Sequence, residues 1–276
     1  MQIGCIVKLK GLAERMEEVR SYGFRSVQLN VLKDKYFTDE NAELVRRVSE
    51  KTGITISSLW CGWPGPGEWN FTEGPATLGL VPEAYRYERT QVLIRGAEFA
   101  HQCGIRNLVT HAGFLPEDCN DPLYKETLIA LSQVVEACRR MDMNFLFETG
   151  QETPVTLLRT IEDLGERNVG VNLDCGNLIL YGKGNPNDAV TVLGKHLMEI
   201  HCKDGVYPTD GKKLGRKVPL GTGMTDWPRL IRQLYAIGYD GPLTIEYECP
   251  EPQQTREILA AQKILSGLLI SEKPKG

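Results

Sequence analysis

The sequence has no stretch of about 18 consecutive apolar residues, so no membrane-spanning helix is expected. It has no Cys-x-x-Cys pair, which removes the zinc-ribbon and thioredoxin-type readings although eight cysteines are present. Most of them, such as Cys103, Cys138 and Cys202, lie inside apolar segments and read as small buried hydrophobes of a reducing, cytoplasmic protein. No G-x-x-x-x-G-K motif occurs, so a P-loop is not expected. No basic run occurs either, and the net charge is −4, so a nucleic-acid partner is not expected. The first residues, MQIGCIVKLKGL, lack a long apolar core followed by a small-residue cleavage site, so no signal peptide is expected. Low-complexity linkers are missing. The 276 residues therefore read as one domain, 1–276, with a loose tail at 271–276.

What is present is an ordinary globular balance, 41% hydrophobic and 25% charged, with strand and helix patterns in alternation. Strand-like runs fall at 2–7, 26–31, 55–62, 107–113, 144–149, 169–174, 197–203 and 242–247, with helical periodicity between them. Eight strands and eight helices in this order predict an α/β protein, a single (β/α)8 TIM barrel, with a long loop at 204–225. The segment 62–82, GWPGPGEWNFTEGPATLGLVP, is too long and too rich in Gly and Pro for a simple connection. It reads as a lid or an interface. Its Trp63 and Trp69 are candidates for a substrate wall, with a hydrophobic plug or a subunit contact as the alternative.

Four residues stand near the C-terminal ends of four of these runs: Glu148 in NFLFE, Asp174 in VGVNLD, His201 in LMEIH and Glu246 in PLTIE. Side chains alternate along a strand, so Glu199, His201 and Lys203 share a face, as do Asn172 with Asp174 and Thr244 with Glu246. Gln28 and Asn30 take the same lumen parity in the second strand. Three carboxylates and an imidazole at one rim of a parallel barrel form an oxygen-rich site for a divalent metal. Single residues of this kind are usually satisfied strand-end groups. Four on consecutive strands with matching parity favour a metal centre.

The runs FETGQET, NLDCGNLILYG, IHCKDG, VPLGTGMTDW and GYDGPLTIEYE resemble the xylose-isomerase-like β/α barrel superfamily, the sugar phosphate isomerases and epimerases. The resemblance covers nearly the whole chain. It implies a divalent metal, most often Mn²⁺ (with Mg²⁺, Co²⁺ or Zn²⁺ as alternatives), held by Glu148, Asp174, His201 and Glu246. It also implies that Glu148 and Glu246 act as an acid/base pair on a sugar or polyol, moving a proton beside a metal-polarised carbonyl through an enediolate. The ketose 3-epimerases of this group carry a histidine where this chain has Asn177, and a second glutamate where it has Pro154. The same scaffold hosts dehydratases and lyases of 3-oxo-glycosides, so a metal-dependent lyase is the alternative. An apurinic endonuclease shares the fold, but four histidines and a net negative charge do not suit its zinc cluster and basic groove. A homo-oligomer is expected, with a hetero-partner as the alternative.

Several further residues are candidates. His111, at a strand end, is either catalytic, binding a hydroxyl or moving a proton, or structural. Lys203 either binds substrate or pairs with Asp204. Arg216 either clamps a hydroxyl or phosphate or is a solvated loop residue. Glu152 is placed to reach the substrate rim, and Asn177, three residues after Asp174, is a further candidate for substrate binding. Gly221 and Gly223 in LGTG offer backbone N–H groups to a phosphate.

Overall fold

A computed structural model describes residues 1–274 of the chain. Eight strands close into a parallel barrel: β1 (Gln2–Lys8), β2 (Ser26–Val31), β3 (Thr55–Cys61), β4 (Asn107–Thr110), β5 (Asn144–Glu148), β6 (Val169–Asp174), β7 (Leu197–Cys202) and, after a hairpin, β10 (Pro242–Ile245). The barrel order β1-β10-β7-β6-β5-β4-β3-β2 follows the chain, with every barrel pair parallel. Helices α1 (Leu12–Ser21), α2 (Asp39–Thr52), α4 (Glu83–Gln102), α5 (Pro122–Arg140), α6 (Pro154–Leu164), α8 (Pro186–Leu193), α9 (Trp227–Ala236) and α10 (Gln253–Ser271) surround it. This is the expected TIM barrel. Its main core lies between the strands and the helices, where Val27, Leu29, Phe145, Val171, Leu173 and Ile200 are fully or almost fully buried.

Local chemistry sets the helix starts. Thr38, Asp121, Thr153, Asn185 and Asp226 each accept a backbone N–H two or three residues ahead. Four of those helices carry proline in their first two positions, where the missing N–H costs nothing. Strand six stops at Asp174 rather than running on through Cys175, because Asp174 caps a short helix, α7 (Cys175–Leu180). A further short helix, α3 (Gly74–Thr77), sits inside the segment 62–82.

The segment 204–225 is not a plain loop. It holds an antiparallel hairpin of β8 (Asp204–Val206) and β9 (Arg216–Val218). The tail is docked for longer than the sequence suggests: α10 continues through Ser271, and Glu272 accepts from Arg232 at 2.6 Å. Residues 275–276 of the expected loose tail lie outside the described residues. Among the described residues no helix is long and apolar enough to cross a membrane. Six of the eight cysteines are buried, and burial pushes the Cys5, Cys103 and Cys138 thiols up to about 12.

Candidate metal centre and active site

The order β10-β7-β6-β5 puts four ligand-bearing strands side by side. Asp174 pairs in register with His201, and His201 with Thr244, two residues before Glu246. Glu148, Asp174, His201 and Glu246 are all buried, and one donor atom from each lies within 4.8 Å of the others. His201 Nδ1 is 2.9 Å from Glu246 Oε2, 3.2 Å from Glu148 Oε1 and 3.7 Å from Asp174 Oδ2.

The hydrogen-bond network fixes what His201 offers. Gln28 Nε2 donates to Ser58 Oγ at 3.0 Å and to Glu199 Oε2 at 3.1 Å, so Gln28 Oε1 must face His201. That oxygen lies 3.0 Å from His201 Nε2 and takes its proton. Nδ1 is then left to point at the carboxylates. Nδ1, Asp174 Oδ2 and Glu246 Oε2 are buried without hydrogen-bond partners. Acceptors that converge this closely repel one another unless a cation sits among them. In the metal-free chain that cation is a proton. Burial disfavours the imidazolium, yet Glu148 and its neighbours hold His201 well above the usual histidine range. A divalent ion answers the same need. The donor set of three oxygens and one nitrogen fits it, with Gln28 as the group that orients the histidine.

The surroundings hold the carboxylates in place. Trp60 Nε1 donates to Glu148 Oε2, and Asn177 Nδ2 lies 3.4 Å from Glu148 Oε1. His111 Nε2 is 3.3 Å from that same oxygen, and the ring packs edge-on against Trp60 and Trp69. Burial alone pushes the Glu148 carboxyl up, but His111 and His201 together hold it well below the usual range. Lys203 Nζ lies 2.8 Å from Glu246 Oε1 and 3.6 Å from Asp174 Oδ2. Burial again opposes ionisation, and Lys203 and His201 outweigh it at Glu246. At Asp174 burial prevails over Lys203 and raises the group. Gly176 is required here, because a Cβ on it would come within 2.4 Å of the Lys203 side chain.

Not every candidate lands where the sequence placed it. Lys203 does not pair with Asp204. Asp204 instead accepts from the backbone N–H of Gly205, Gly221, Gly223 and Thr225 and from Trp227 Nε1, at 2.9–3.3 Å. The Gly221 and Gly223 amides are therefore committed to a carboxylate and do not form a phosphate cradle. Arg216 is exposed and outside the cavity. Its strand neighbour Lys217 faces the cavity instead and donates to the Glu248 carbonyl at 2.7 Å. The cavity, about 420 Å³, has Trp60 and Trp69 on its wall. Trp63 packs behind both rings, at centroid distances of 5.9 and 6.2 Å. Glu152 is buried, with Oε2 unpartnered, and does not line the cavity.

Sequence reasoning missed Trp60 and Lys217. Trp60 was within reach, because Ser58 and Trp60 lie in register with Gln28 and Asn30 and so share their lumen parity. Lys217 was not, because its direction depends on the hairpin.

Burial raises the Glu152 carboxyl to about 7. A folded-state value above the unfolded one means the protonated form favours folding. That contribution is complete below the unfolded value of 4.5 and is lost as pH rises through about 7. Glu152→Gln is therefore expected to leave stability unchanged at pH 4.5 and to raise it by about 3 kcal/mol at pH 8. Urea unfolding at the two pH values checks this, and equal effects at both would contradict it.

The chain matches the family model described as xylose isomerase-like TIM barrel over residues 16–265. It is similar to a xylose isomerase domain protein from Planctomyces limnophilus of known structure: 31% identity, TM-score 0.90, covering 97% of this chain and 96% of that one. It is 24% identical to the L-ribulose-5-phosphate 3-epimerase UlaE of Escherichia coli over 84% of this chain and 81% of the relative. A xylose isomerase-like TIM barrel protein from Mycobacterium smegmatis, solved in complex with magnesium, shares the fold at TM-score 0.70 and 18% identity, covering 98% of this chain and 97% of that one. With a parallel eight-stranded barrel, a buried Glu-Asp-His-Glu cluster at its rim and a family match over most of its length, the chain belongs to the xylose isomerase-like TIM-barrel family.

Proposed function

We propose that the protein is a divalent-metal-dependent isomerase or epimerase of a sugar or polyol. The observation that carries this is the set of buried, unpartnered acceptor atoms on Asp174, His201 and Glu246 converging beside Glu148. These four residues would hold the ion. Mn²⁺ is the first choice, with Mg²⁺, Co²⁺ and Zn²⁺ to be compared against it, and the magnesium-bound relative supports a hard cation. Such an ion supplies a Lewis acid that polarises a carbonyl and makes the adjacent C–H acidic.

The chain's own residues do the rest. Glu148 and Glu246 are held ionised and are therefore ready to accept a proton. The one that takes the substrate proton returns it to the neighbouring carbon in an isomerisation. In an epimerisation the other delivers a proton to the opposite face. Trp60, His111 and Asn177 orient Glu148, and Lys203 orients Glu246. Trp60 and Trp69 offer ring faces to the sugar and keep water from that side.

A lyase of the same fold is the second reading. It is favoured by Asn177 and Pro154, which stand where ketose 3-epimerases carry histidine and glutamate. Both readings begin with the same proton removal, and one experiment separates them. The Mn²⁺-loaded protein is incubated in D₂O with ketoses, inososes and 3-oxo-glycosides, and NMR reads substrate and product. Deuterium in a rearranged sugar supports the isomerase. Loss of water or an aglycone supports the lyase. No exchange with any of them contradicts both.

A further inference from the structure

The lumen of a parallel barrel is ordinarily filled by bulky branched side chains. Beside the four clustered residues this lumen holds a further carboxylate. Glu199 lies two residues before His201 on β7, on the same face, and is fully buried. Its Oε1 has no hydrogen-bond partner. A buried carboxylate left half satisfied costs stability, so packing does not account for it.

Glu199 Oε2 does have partners, and they come from across the barrel. Ser58 Oγ on β3 donates to it at 2.6 Å, and Gln28 Nε2 on β2 at 3.1 Å. Neither strand is a neighbour of β7 in the barrel order, so both bonds cross the lumen. Gln28 Nε2 also donates to Ser58 Oγ at 3.0 Å, and Gln28 Oε1 lies 3.0 Å from His201 Nε2. One amide on β2 therefore meets β7 twice, at Glu199 and at His201.

The two ends of an amide have opposite senses, a donor and an acceptor. With its NH₂ on Glu199 and its oxygen on His201, Gln28 keeps a proton on His201 Nε2. The proton that His201 yields is then the one on Nδ1, the nitrogen facing Glu148, Asp174 and Glu246. Turned over, the amide would set its NH₂ against His201 Nε2. The ring would then give up the Nε2 proton and keep the one on Nδ1, where a metal ligand is needed. The same turn would bring the amide oxygen against Glu199 Oε2, and two acceptors in contact repel. Glu199 is thus the group that makes the turned amide costly.

We propose that Glu199 is a positioning residue for the metal centre: from across the lumen it holds the Gln28 amide in one orientation, so that His201 offers Nδ1 to a divalent ion. The proposal rests on the metal-dependent reading of the site and adds to it the group that sets the histidine. Glu199 is not itself one of the four clustered ligands and does not line the cavity.

Mn²⁺ titration at pH 8 tests it in the wild type, Glu199→Gln, Gln28→Leu and the double variant. Glu199→Gln keeps the shape but loses the preference, because a carboxamide gives Gln28 either an oxygen or an NH₂. Groups that orient a ligand typically change metal affinity by about 10–100-fold. Glu199→Gln is expected to bind Mn²⁺ about tenfold more weakly, with circular dichroism unchanged. Gln28→Leu removes the acceptor on His201 and is expected to lose as much or more. Adding Glu199→Gln to Gln28→Leu then costs nothing further, whereas an effect through packing alone would add. The second readout is ¹⁵N NMR of histidine-labelled, Mg²⁺-loaded protein, which needs no variant to fold. His201 is expected to carry a proton on Nε2 and none on Nδ1 in the wild type, and to show both ring forms in Glu199→Gln. Equal Mn²⁺ affinity in Glu199→Gln, or an additive loss in the double variant, would overturn the proposal and leave the metal reading in place. A proton on Nδ1 in the Mg²⁺-loaded wild type, or no Mn²⁺ binding by the wild type, would overturn both.

Discussion

Glu246→Gln and Glu148→Gln are each expected to lower turnover by about 10²–10⁴-fold, the range of a positioned proton-transfer group. The two substitutions keep shape and remove one negative charge from a buried cluster. In Glu246→Gln the amide oxygen still accepts from Lys203, which lies 2.8 Å from Glu246 Oε1, so the ammonium keeps a partner. In Glu148→Gln the same oxygen still accepts from Trp60 Nε1. The fold should therefore survive in both, with circular dichroism unchanged. The variants are expected to differ in exchange: a substrate whose proton is taken by one carboxylate and replaced by the other loses both exchange and turnover in one variant, but turnover alone in the other. Deuterium exchange measured beside turnover assigns the faces. Full activity in both variants would remove the two glutamates from the chemistry.

Arg89→Ala is expected to cost about 3–5 kcal/mol of stability, which for a chain of this size lowers Tm by roughly 10 °C. Arg89 is fully buried on α4, yet its guanidinium meets no carboxylate. It donates to the carbonyls of Pro64, Pro66, Thr77 and Gly79 at 2.7–3.1 Å, and lies over the rings of Tyr85 and Trp63 at 4.7 and 5.5 Å. Burial pulls it down to about 10, so it remains a cation at neutral pH. One side chain thus fastens both ends of the segment 62–82, and through Trp63 it supports Trp69 at the cavity. Its loss leaves four carbonyls unpaired and frees the aromatic wall. KM should rise more than kcat falls. Arg89→Lys should not rescue the protein, because a single ammonium cannot reach carbonyls that a planar fork spans. Thermal melting and steady-state kinetics check this, and an unchanged Tm with unchanged KM would contradict it.

The difference between these two groups shows what the sequence can reveal. The barrel and the four clustered residues were legible because they obey local rules. Period-two alternation sets the lumen face, proline-marked caps set the helix starts, and parallel neighbours bring strand ends together. Arg89 follows no such rule. It stands in a helix with little amphipathic pattern, alongside Arg86 and Arg95, and only the way the preceding segment 62–82 folds back over α4 buries it. Asp204 was misread for the same reason. Its nearest charged neighbour in sequence is Lys203, but Gly221, Gly223 and Thr225 return in space to claim its oxygens. Gly223 leaves no room for an alternative, since a Cβ there would stand 2.1 Å from Asp204 Oδ1. Arg216 and Lys217 were exchanged because a short hairpin, invisible to strand propensity over three residues, sets which of the two faces inward.

The central claim is that Glu148, Asp174, His201 and Glu246 form one divalent-metal site. The most direct measurement is Mn²⁺ binding, followed by the loss of the free-ion paramagnetic resonance signal in the wild type and in Asp174→Asn. The wild type is expected to bind one ion per chain at pH 8 and to bind more weakly at pH 5.5, because the ion must displace a proton from His201. Bound Mn²⁺ should also raise Tm, and Asp174→Asn should bind at least tenfold more weakly at pH 8. No stoichiometric binding by the wild type, or equal binding by the variant, would contradict the account.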